Sequence, residues 1–359
     1  MGRENSGQLV RYAVSSMSHK CAKSVHVTRL SAIMVLMGLT LCARGEERVA
    51  FGPIPFRTQN PLYLQMLGPS PSGTRVLGEG RTMVRFDLNS SNMLELDTNW
   101  DGDEVRIDME LTRLSMTYCH GLGSDVELSV EIPFLYGAGG SFDHLIEEFH
   151  QLFGLPNGRR ELVADNRFEY TIRSADAVIY ELPRLRPEMG DIAVGIRRLL
   201  WAQEAGAPAA AWSFRCKLPT GDPALGTGSG GVDAGLGLAL EKTVSRWSWY
   251  VNFDLVAVSK HELIGDFHKS GIFAWLLAAE YGFGSTMSAT VQVQGSTPLL
   301  RAVDVPAWGG PPVDIVFGVQ GRGSLGGREL VWRAAFQEDL YPDGPAVDVG
   351  IMLSAGLQF

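Results

Sequence analysis

The stretch VDVGIMLSAGLQF, residues 347–359, alternates almost without error between apolar residues and small or polar residues. Because successive side chains of a β-strand point to opposite faces, this stretch predicts a strand with one apolar face and one polar face. A strand of about this length, apolar outside and polar inside, is typical of a transmembrane β-barrel. The alternative from this strand alone is a soluble β-sandwich.

The same alternation recurs along the chain and predicts eleven further strands. They cover residues 84–88, 105–118, 126–136, 192–196, 212–218, 234–240, 247–255, 272–281, 289–293, 315–319 and 330–336. In the second of these the apolar phase changes near Arg113, which predicts a β-bulge. In the strand at 347–359, Val347 is predicted to face outward with the other apolar residues.

The connections between these strands alternate between short and long, with residues 94–103 predicted as one of the long ones. The alternation holds if residues 138–189 form one outer excursion and if residues 168–182 are a hairpin outside the wall. The strand count is then twelve, and single-chain bacterial barrels have an even number. The predicted fold class is therefore all-β: a 12-stranded antiparallel transmembrane β-barrel over residues 80–359, with an extracellular insertion at 138–189. Helical spacing of apolar residues from Phe142 to Phe153, between Ser141 and Gly154, predicts a helix in that insertion.

Charged residues collect on one phase of the predicted strands and are predicted to face the barrel lumen. Charges facing lipid would cost about 2–4 kcal/mol each at mid-depth, so this segregation supports the register. Two interpretations stay open: a polar channel lining, or mutually paired ions that fill a narrow barrel and leave no pore. The predicted lumen residues are Arg85, Asp87, Asp108, Glu110, Glu127, Glu131, Arg197, Arg215, Lys217, Asp254, Arg322, Arg333 and Asp348.

The N-terminal region is predicted to be removed or to lie apart from the wall. Residues 1–45 combine a basic stretch with a short apolar run, which predicts a secretory signal peptide cleaved between Gly45 and Glu46; Met17 is an alternative start. Residues 46–79 contain five prolines, which exclude a central strand or a long helix. This segment is predicted to be either a lumen plug or a periplasmic tail.

Composition excludes some functions. The full chain has 31 basic and 40 acidic residues, and without residues 1–45 these become 25 and 39. An acidic chain without a basic stripe is not suited to nucleic acid. The sequence predicts no catalytic residue, no cofactor and no metal site. His261 and His268 are the only candidate bases for an alternative function, a lipid hydrolase at the outer rim, and no nucleophile motif accompanies them.

Two stretches, Phe51 to Pro61 (FGPIPFRTQNP) and Phe149 to Gly158 (FHQLFGLPNG), resemble a family of bacterial outer-membrane proteins that carries a domain of unknown function. Gly190-Asp191-Ile192 and KLPTGD at 217–222, with the glycine-rich loop at 226–231, are similar to outer-membrane barrels of aromatic-degradation pathways. The resemblance implies a cell outer membrane location and passage of small molecules, hydrophobic or aromatic ones included.

The functional expectation is therefore an outer-membrane channel or transporter rather than an enzyme. The expected partners are outer-membrane lipid, the barrel-assembly machinery and a small-molecule solute, with Phe359 as the assembly signal. The other alternative is a surface or structural outer-membrane protein that transports nothing. The sequence leaves the solute and the oligomeric state open.

Overall fold

The computed structural model describes residues 50–99, 102–123, 125–139, 167–174, 177–182, 185–265, 267–300, 305, 309–341, 345 and 347–359. The predicted signal peptide with its cleavage site, and the helix predicted in the insertion, lie outside these residues. Within the described part of the chain, no helix is long and apolar enough to cross a membrane.

The described residues form fifteen strands and one short α-helix. Their bounds are α1 (Pro61–Leu64), β1 (Thr82–Thr98), β2 (Glu104–Gly123), β3 (Val126–Ala138), β4 (Glu169–Ser174), β5 (Ala177–Glu181), β6 (Glu188–Met189), β7 (Ala193–Trp201), β8 (Ala209–Lys217), β9 (Asp233–Val244), β10 (Trp247–Ala257), β11 (Gly271–Gly282), β12 (Met287–Ser296), β13 (Val313–Leu325), β14 (Arg328–Asp339) and β15 (Val349–Gln358).

Twelve of these strands form a closed antiparallel ring. β1 pairs with β2, β2 with β3 and β3 with β7; each strand from β7 to β14 pairs with the next, and β15 returns to β1. The hairpin β4–β5 lies outside the ring and pairs along β2. The predicted twelve-stranded barrel is confirmed, and residues 168–182 are excluded from its wall as predicted.

The connections divide the barrel into a short-turn end and a long-loop end. At the short-turn end β13 and β14 are joined by Gly326 and Gly327, both with positive φ (59° and 78°), as a tight two-residue hairpin turn requires. At the long-loop end the predicted connection at 94–103 is shorter than expected. β1 continues to Thr98 and β2 begins at Glu104, so residues 99–103 alone connect them.

The two faces of the wall differ in exposure as alternation requires. Apolar side chains on one phase are exposed, with Leu255 at 61% and Leu353 at 54%. Polar side chains on the other phase are buried, with Asp87 at 3% and Gln292 at 0%. In a closed barrel the buried phase faces the interior, so the apolar phase forms the outer surface.

The predicted bulge at Arg113 is wrong. The β1–β2 register runs from Thr82 opposite His120 to Thr98 opposite Glu104 without a shift. Asp108 and Glu110, predicted to face the lumen, therefore lie on the same outward phase as Leu114. The apparent phase change in the sequence has another cause. The inward residues of this half of β2, Val105, Ile107, Met109 and Leu111, are apolar because they lie in a buried cluster.

The prediction that Val347 faces outward is also wrong. β15 begins at Val349, and Val347 is fully buried in the same apolar cluster at the long-loop end. Alternation continues past the last ladder pair in the sequence, but the chain there leaves the wall and packs against other loops.

Candidate functional site

The barrel interior collects most of the residues predicted to face the lumen. The residues on the inward phase are Arg85, Asp87, Glu127, Glu131, Arg197, Arg215, Lys217, Asp254, Arg322 and Arg333. Asp348 lies one residue before β15 and accepts a hydrogen bond from the backbone N–H of Leu94 at 3.1 Å. The role of these residues in passing a solute stays a prediction.

The segment 50–77 contacts this interior phase through two legs that are joined by a cap. In its first leg, residues 50–59, the backbone N–H of Phe51 donates to both carboxylate oxygens of Glu280 at 3.0 and 3.2 Å. The side-chain amide of Gln292 accepts from Ile54 N at 3.0 Å and donates to Ile54 O at 3.1 Å. Side chains of the wall thus take the place of strand partners for an irregular backbone, which satisfies its buried polar groups.

The second leg, residues 68–77, is held in the same way by other strands. Asn252 accepts from Ser72 N at 2.9 Å and donates to Ser72 O at 3.0 Å. Glu241 accepts from both the N–H and the hydroxyl of Thr74 at 2.9 Å. Leu77 N donates to Glu127 at 2.8 Å, close to the short-turn end where β1 begins.

The two legs are joined by a cap, residues 60–67, at the long-loop end. Asn60 accepts from Leu62 N at 3.0 Å and Pro61 occupies the first helical position, so the sequence Asn-Pro starts the short helix α1. The side chains of Leu62 and Leu67 are buried among apolar residues of the long loops and of the hairpin β4–β5. Tyr63 Oη accepts a hydrogen bond from Leu299 N at 3.0 Å. The cap is therefore packed among the long loops and the inward apolar residues at the same end of the wall strands.

A buried ionic cluster fastens the end of the cap to the loops. Lys217 Nζ donates to Asp191, to Ser229 Oγ at 2.7 Å and to the carbonyl of Gly231 at 2.9 Å, and lies 3.6 Å from Asp233. Asp233 in turn accepts from the backbone N–H of Leu67 at 2.9 Å. The three stretches similar to pathway barrels, around residues 190–192, 217–222 and 226–231, meet in this cluster and have a structural role there.

The two histidines that were candidate catalytic bases are buried and fully hydrogen-bonded. His261 Nδ1 accepts from Leu263 N and Ile264 N, so its Nε2–H donates to Gln65 Oε1 at 2.9 Å. His268 Nε2 accepts from His261 N at 2.8 Å, and its Nδ1–H donates to the Lys269 carbonyl. Burial, helped by His268 and Lys217, lowers the pKa of His261 to about 4. A base needs a free lone pair near substrate, so these contacts argue against the rim hydrolase.

Beside the two legs lies a polar cavity of about 140 Å³, between residues 55–72 and strands β1, β2, β3, β7 and β8. Five arginines line it: Arg57, Arg85, Arg113, Arg197 and Arg215. The carboxylates that line it are Asp87, Glu127 and Glu131. Each carboxylate is paired with an arginine of the same cavity, as in the Arg85–Asp87 contact at 2.8 Å and the Arg197–Glu127 contact at 2.9 Å.

Sequence reasoning missed several residues of the interior. Arg113 falls where a bulge was predicted, and Glu280 falls in a run that is apolar on both faces. Arg57 lies in the proline-rich segment, where no periodicity assigns a face. A charged residue within an otherwise apolar strand, as at Glu280, is the signal that could have identified one of them.

A closed antiparallel barrel with an apolar exterior and a polar interior defines the class of protein: a bacterial outer-membrane β-barrel. The protein is located in the outer membrane. The chain belongs to the family described as "Protein of unknown function (DUF3187)", whose model matches residues 29–359. No curated protein matches the chain.

Solved structures of other proteins are similar to this chain. The outer membrane channel COG4313 from Pseudomonas putida F1 superposes with a TM-score of 0.53 at 13% identity, covering 81% of this chain and 100% of that chain. The monoaromatic hydrocarbon channel CymD gives 0.33 at 9% identity, with coverages of 86% and 94%. The toluene transporter TodX of Pseudomonas putida gives 0.33 at 9%, with coverages of 85% and 98%. At 13% identity the likeness to the COG4313 channel concerns the fold alone.

Proposed function

We propose that this protein is an outer-membrane channel or transporter for small molecules, and that residues 50–77 are a plug inside its barrel. The supporting observation is the set of hydrogen bonds between this segment and the wall. Side chains of nine of the twelve wall strands bond to it. A segment can reach nine strands of a closed ring only from within the ring.

The plug blocks the barrel more firmly at one end than at the other. At the long-loop end the cap buries apolar side chains such as Leu62 and Met66, and each buried side chain of this size contributes roughly 1.5–3 kcal/mol. The first leg also buries Ile54 and Phe56 in an apolar cluster with wall residues of β13, β14 and β15. The second leg is held mainly by hydrogen bonds, each with a net worth of about 0.5–1.5 kcal/mol. Passage of a solute therefore requires movement of the legs, most easily of the second one, with the cap as the more persistent barrier.

The proposed solute is a small molecule with hydrophobic or aromatic character, as the resemblance to pathway barrels implies. Such a molecule would meet a polar, arginine-rich cavity beside the proposed plug rather than an apolar tunnel. The likeness to the COG4313 channel supports transport as the function, and the plug supports a gated rather than an open pore.

The test is conductance in planar lipid bilayers. Wild-type protein is compared with a variant lacking residues 50–77 and with the double variant Ser72→Cys/Asn252→Cys. The double variant is made without Cys119 and Cys216, and its two new cysteines are joined by a short bis-maleimide. Deletion should give large, steady conductance, whereas wild type gives small or intermittent steps. Cross-linking should abolish the steps, and the same double variant without cross-linker should retain them. Silence of the correctly folded deletion variant would contradict the proposal.

A further inference from the structure

The charges inside the barrel differ between its two sides. On β9, β11 and β13 the carboxylates Asp233, Glu241, Glu280 and Asp314 accept hydrogen bonds from backbone or hydroxyl groups of residues 50–77. On β1, β2, β3, β7 and β8 the wall of the cavity carries four arginines and three carboxylates. The arginines therefore collect on the side of the barrel that borders the open space.

The cavity has more guanidinium groups than carboxylates to balance them. The three lining carboxylates pair with Arg85, Arg113 and Arg197. The fourth arginine, Arg215, donates to the Gly68 carbonyl and lies 4.0 Å from Asp254. The fifth, Arg57, donates to the neutral carbonyls of Tyr63 and Met66 at 3.1 and 2.9 Å.

One unused donor accompanies this surplus charge. The Nε–H of Arg197 is buried and has no acceptor among the described residues. A buried charge without a counter-ion, and a buried donor without an acceptor, both raise the free energy of the folded protein. An anion in the cavity relieves both, and guanidinium groups suit a carboxylate because they can bind it through two parallel hydrogen bonds.

The size of the cavity limits the anion. A cavity of 150 Å³ in another protein accommodates a single benzene ring, and this one measures about 140 Å³. Arginine side chains also stack on aromatic faces, so a ring does not conflict with the polar lining. The space suits one ring with one carboxylate.

We propose that this cavity is a binding site for a small organic anion, a carboxylate carried on a single ring. The inference rests on the proposed channel function, because it names the solute class for the space beside the plug. A channel of this kind would take up the charged acid, and a neutral hydrocarbon of the same size would bind the cavity weakly.

Three ligands of nearly the same shape and different charge test the site: benzoate, benzamide and benzamidinium. The measurement is urea unfolding of the protein in lipid vesicles at increasing ligand concentration, from which an apparent Kd follows because a ligand of the folded state raises stability. Unfolding and refolding give each ligand access to the cavity, so a closed plug does not prevent binding. Benzoate should bind at least tenfold tighter than benzamide, and benzamidinium should not stabilise the protein.

Two variants of neighbouring charges on β1 separate a specific site from a general effect of salt. Arg85→Gln should weaken benzoate binding severalfold, and Asp87→Asn should strengthen it, because the substitutions change the cavity charge in opposite directions. Both residues line the cavity and pair with each other. Folding of each variant is checked by the heat-induced mobility shift on gels.

Equal affinity for benzoate and benzamide, or a shift of the same sign in both variants, would overturn the proposed anion site. The ligand affinities come from unfolding measurements and do not depend on the conductance measurements that test the channel function. If the deletion of residues 50–77 opens a pore while benzoate does not bind, the channel function stands and the anion site falls. If benzoate binds and the deletion variant is silent, the channel function falls instead.

Discussion

Thr82 and Phe359 close the barrel through two backbone hydrogen bonds: Phe359 N donates to Thr82 O at 2.8 Å, and Thr82 N donates to Phe359 O at 3.3 Å. The Phe359 ring also lies under the guanidinium of Arg328, 4.4 Å from its centroid. The first and last strands of the wall thus meet beside an aromatic side chain that is half exposed on the outer surface.

Phe359→Ala should lower the amount of barrel in the outer membrane much more than it lowers the stability of the barrel once folded. The backbone bonds to Thr82 persist in the variant, and the lost cation–π contact is worth about 0.5–1 kcal/mol at an exposed site. The measurements are heat-modifiable protein in membranes and urea unfolding in vesicles. Arg328→Gln is the matched control, because it removes the same contact and keeps the ring. Equal loss of assembly in both variants would contradict a separate assembly role.

Leu353→Arg should destabilise the barrel by about 2–4 kcal/mol, because Leu353 is exposed on the outer phase at the middle of β15 and a charge there would face lipid. Urea unfolding in lipid vesicles measures the change. The neighbouring substitution Ser354→Ala lies on the inward phase, where the hydroxyl has no hydrogen-bond partner among the described residues, and should be nearly neutral. A small effect of Leu353→Arg would mean that this surface faces water rather than lipid.

Asn252→Ala and Gln292→Ala should each increase the frequency of channel openings. Each amide bonds to both backbone groups of one plug residue, Ser72 or Ile54, so each variant loses two hydrogen bonds, or about 1–3 kcal/mol. The double variant should open more often than either single variant, since the two residues hold different legs. Asn89→Ala is the control: its Oδ1 has no hydrogen-bond partner among the described residues, and its substitution should leave the opening frequency unchanged.

Lys217→Met should loosen the loops at the long-loop end. Removing one partner of a buried ion pair costs about 3–5 kcal/mol, and Asp191 would lose its cation. Faster hydrogen exchange in residues 219–231 is the expected result. The double variant Lys217→Met/Asp191→Asn should recover part of the loss, because no unpaired carboxylate is then left at position 191. Unchanged exchange in Lys217→Met would show that the backbone donors alone hold the cluster.

Acid should loosen the loop 258–270, which lies between β10 and β11. The pKa of His261 is lowered to about 4 in the folded protein from 6.5 in the unfolded chain, mainly by burial. The neutral ring therefore stabilises the fold above pH 6.5, and this contribution, on the order of 3 kcal/mol, is lost as the pH falls from 6.5 towards 4. Proteolysis of the loop between pH 7.5 and 4.5 measures the effect. His261→Asn keeps an acceptor and does not titrate, so its cleavage should lose most of this pH dependence.

Much of the wall could be predicted from alternation alone. The outward residues of β3, β9, β10 and β15 agree with the sequence pattern, because a strand exposed to lipid on one face and to polar groups on the other must alternate. Prediction failed where the surroundings changed along one strand. At Asp108 and Glu110 the inward neighbours are apolar, since the cap and the loops form a second buried cluster there.

The sequence by itself determined the barrel and its twelve strands, since these depend on local alternation and on parity. Only the tertiary structure decided which charges meet and what occupies the interior. Arg57 and Arg113 are separated by more than fifty residues and come together at one cavity because an irregular proline-rich segment lies against a closed wall. No periodicity encodes that contact, because side-chain pairing between a wall and a segment without regular structure depends on where the segment lies.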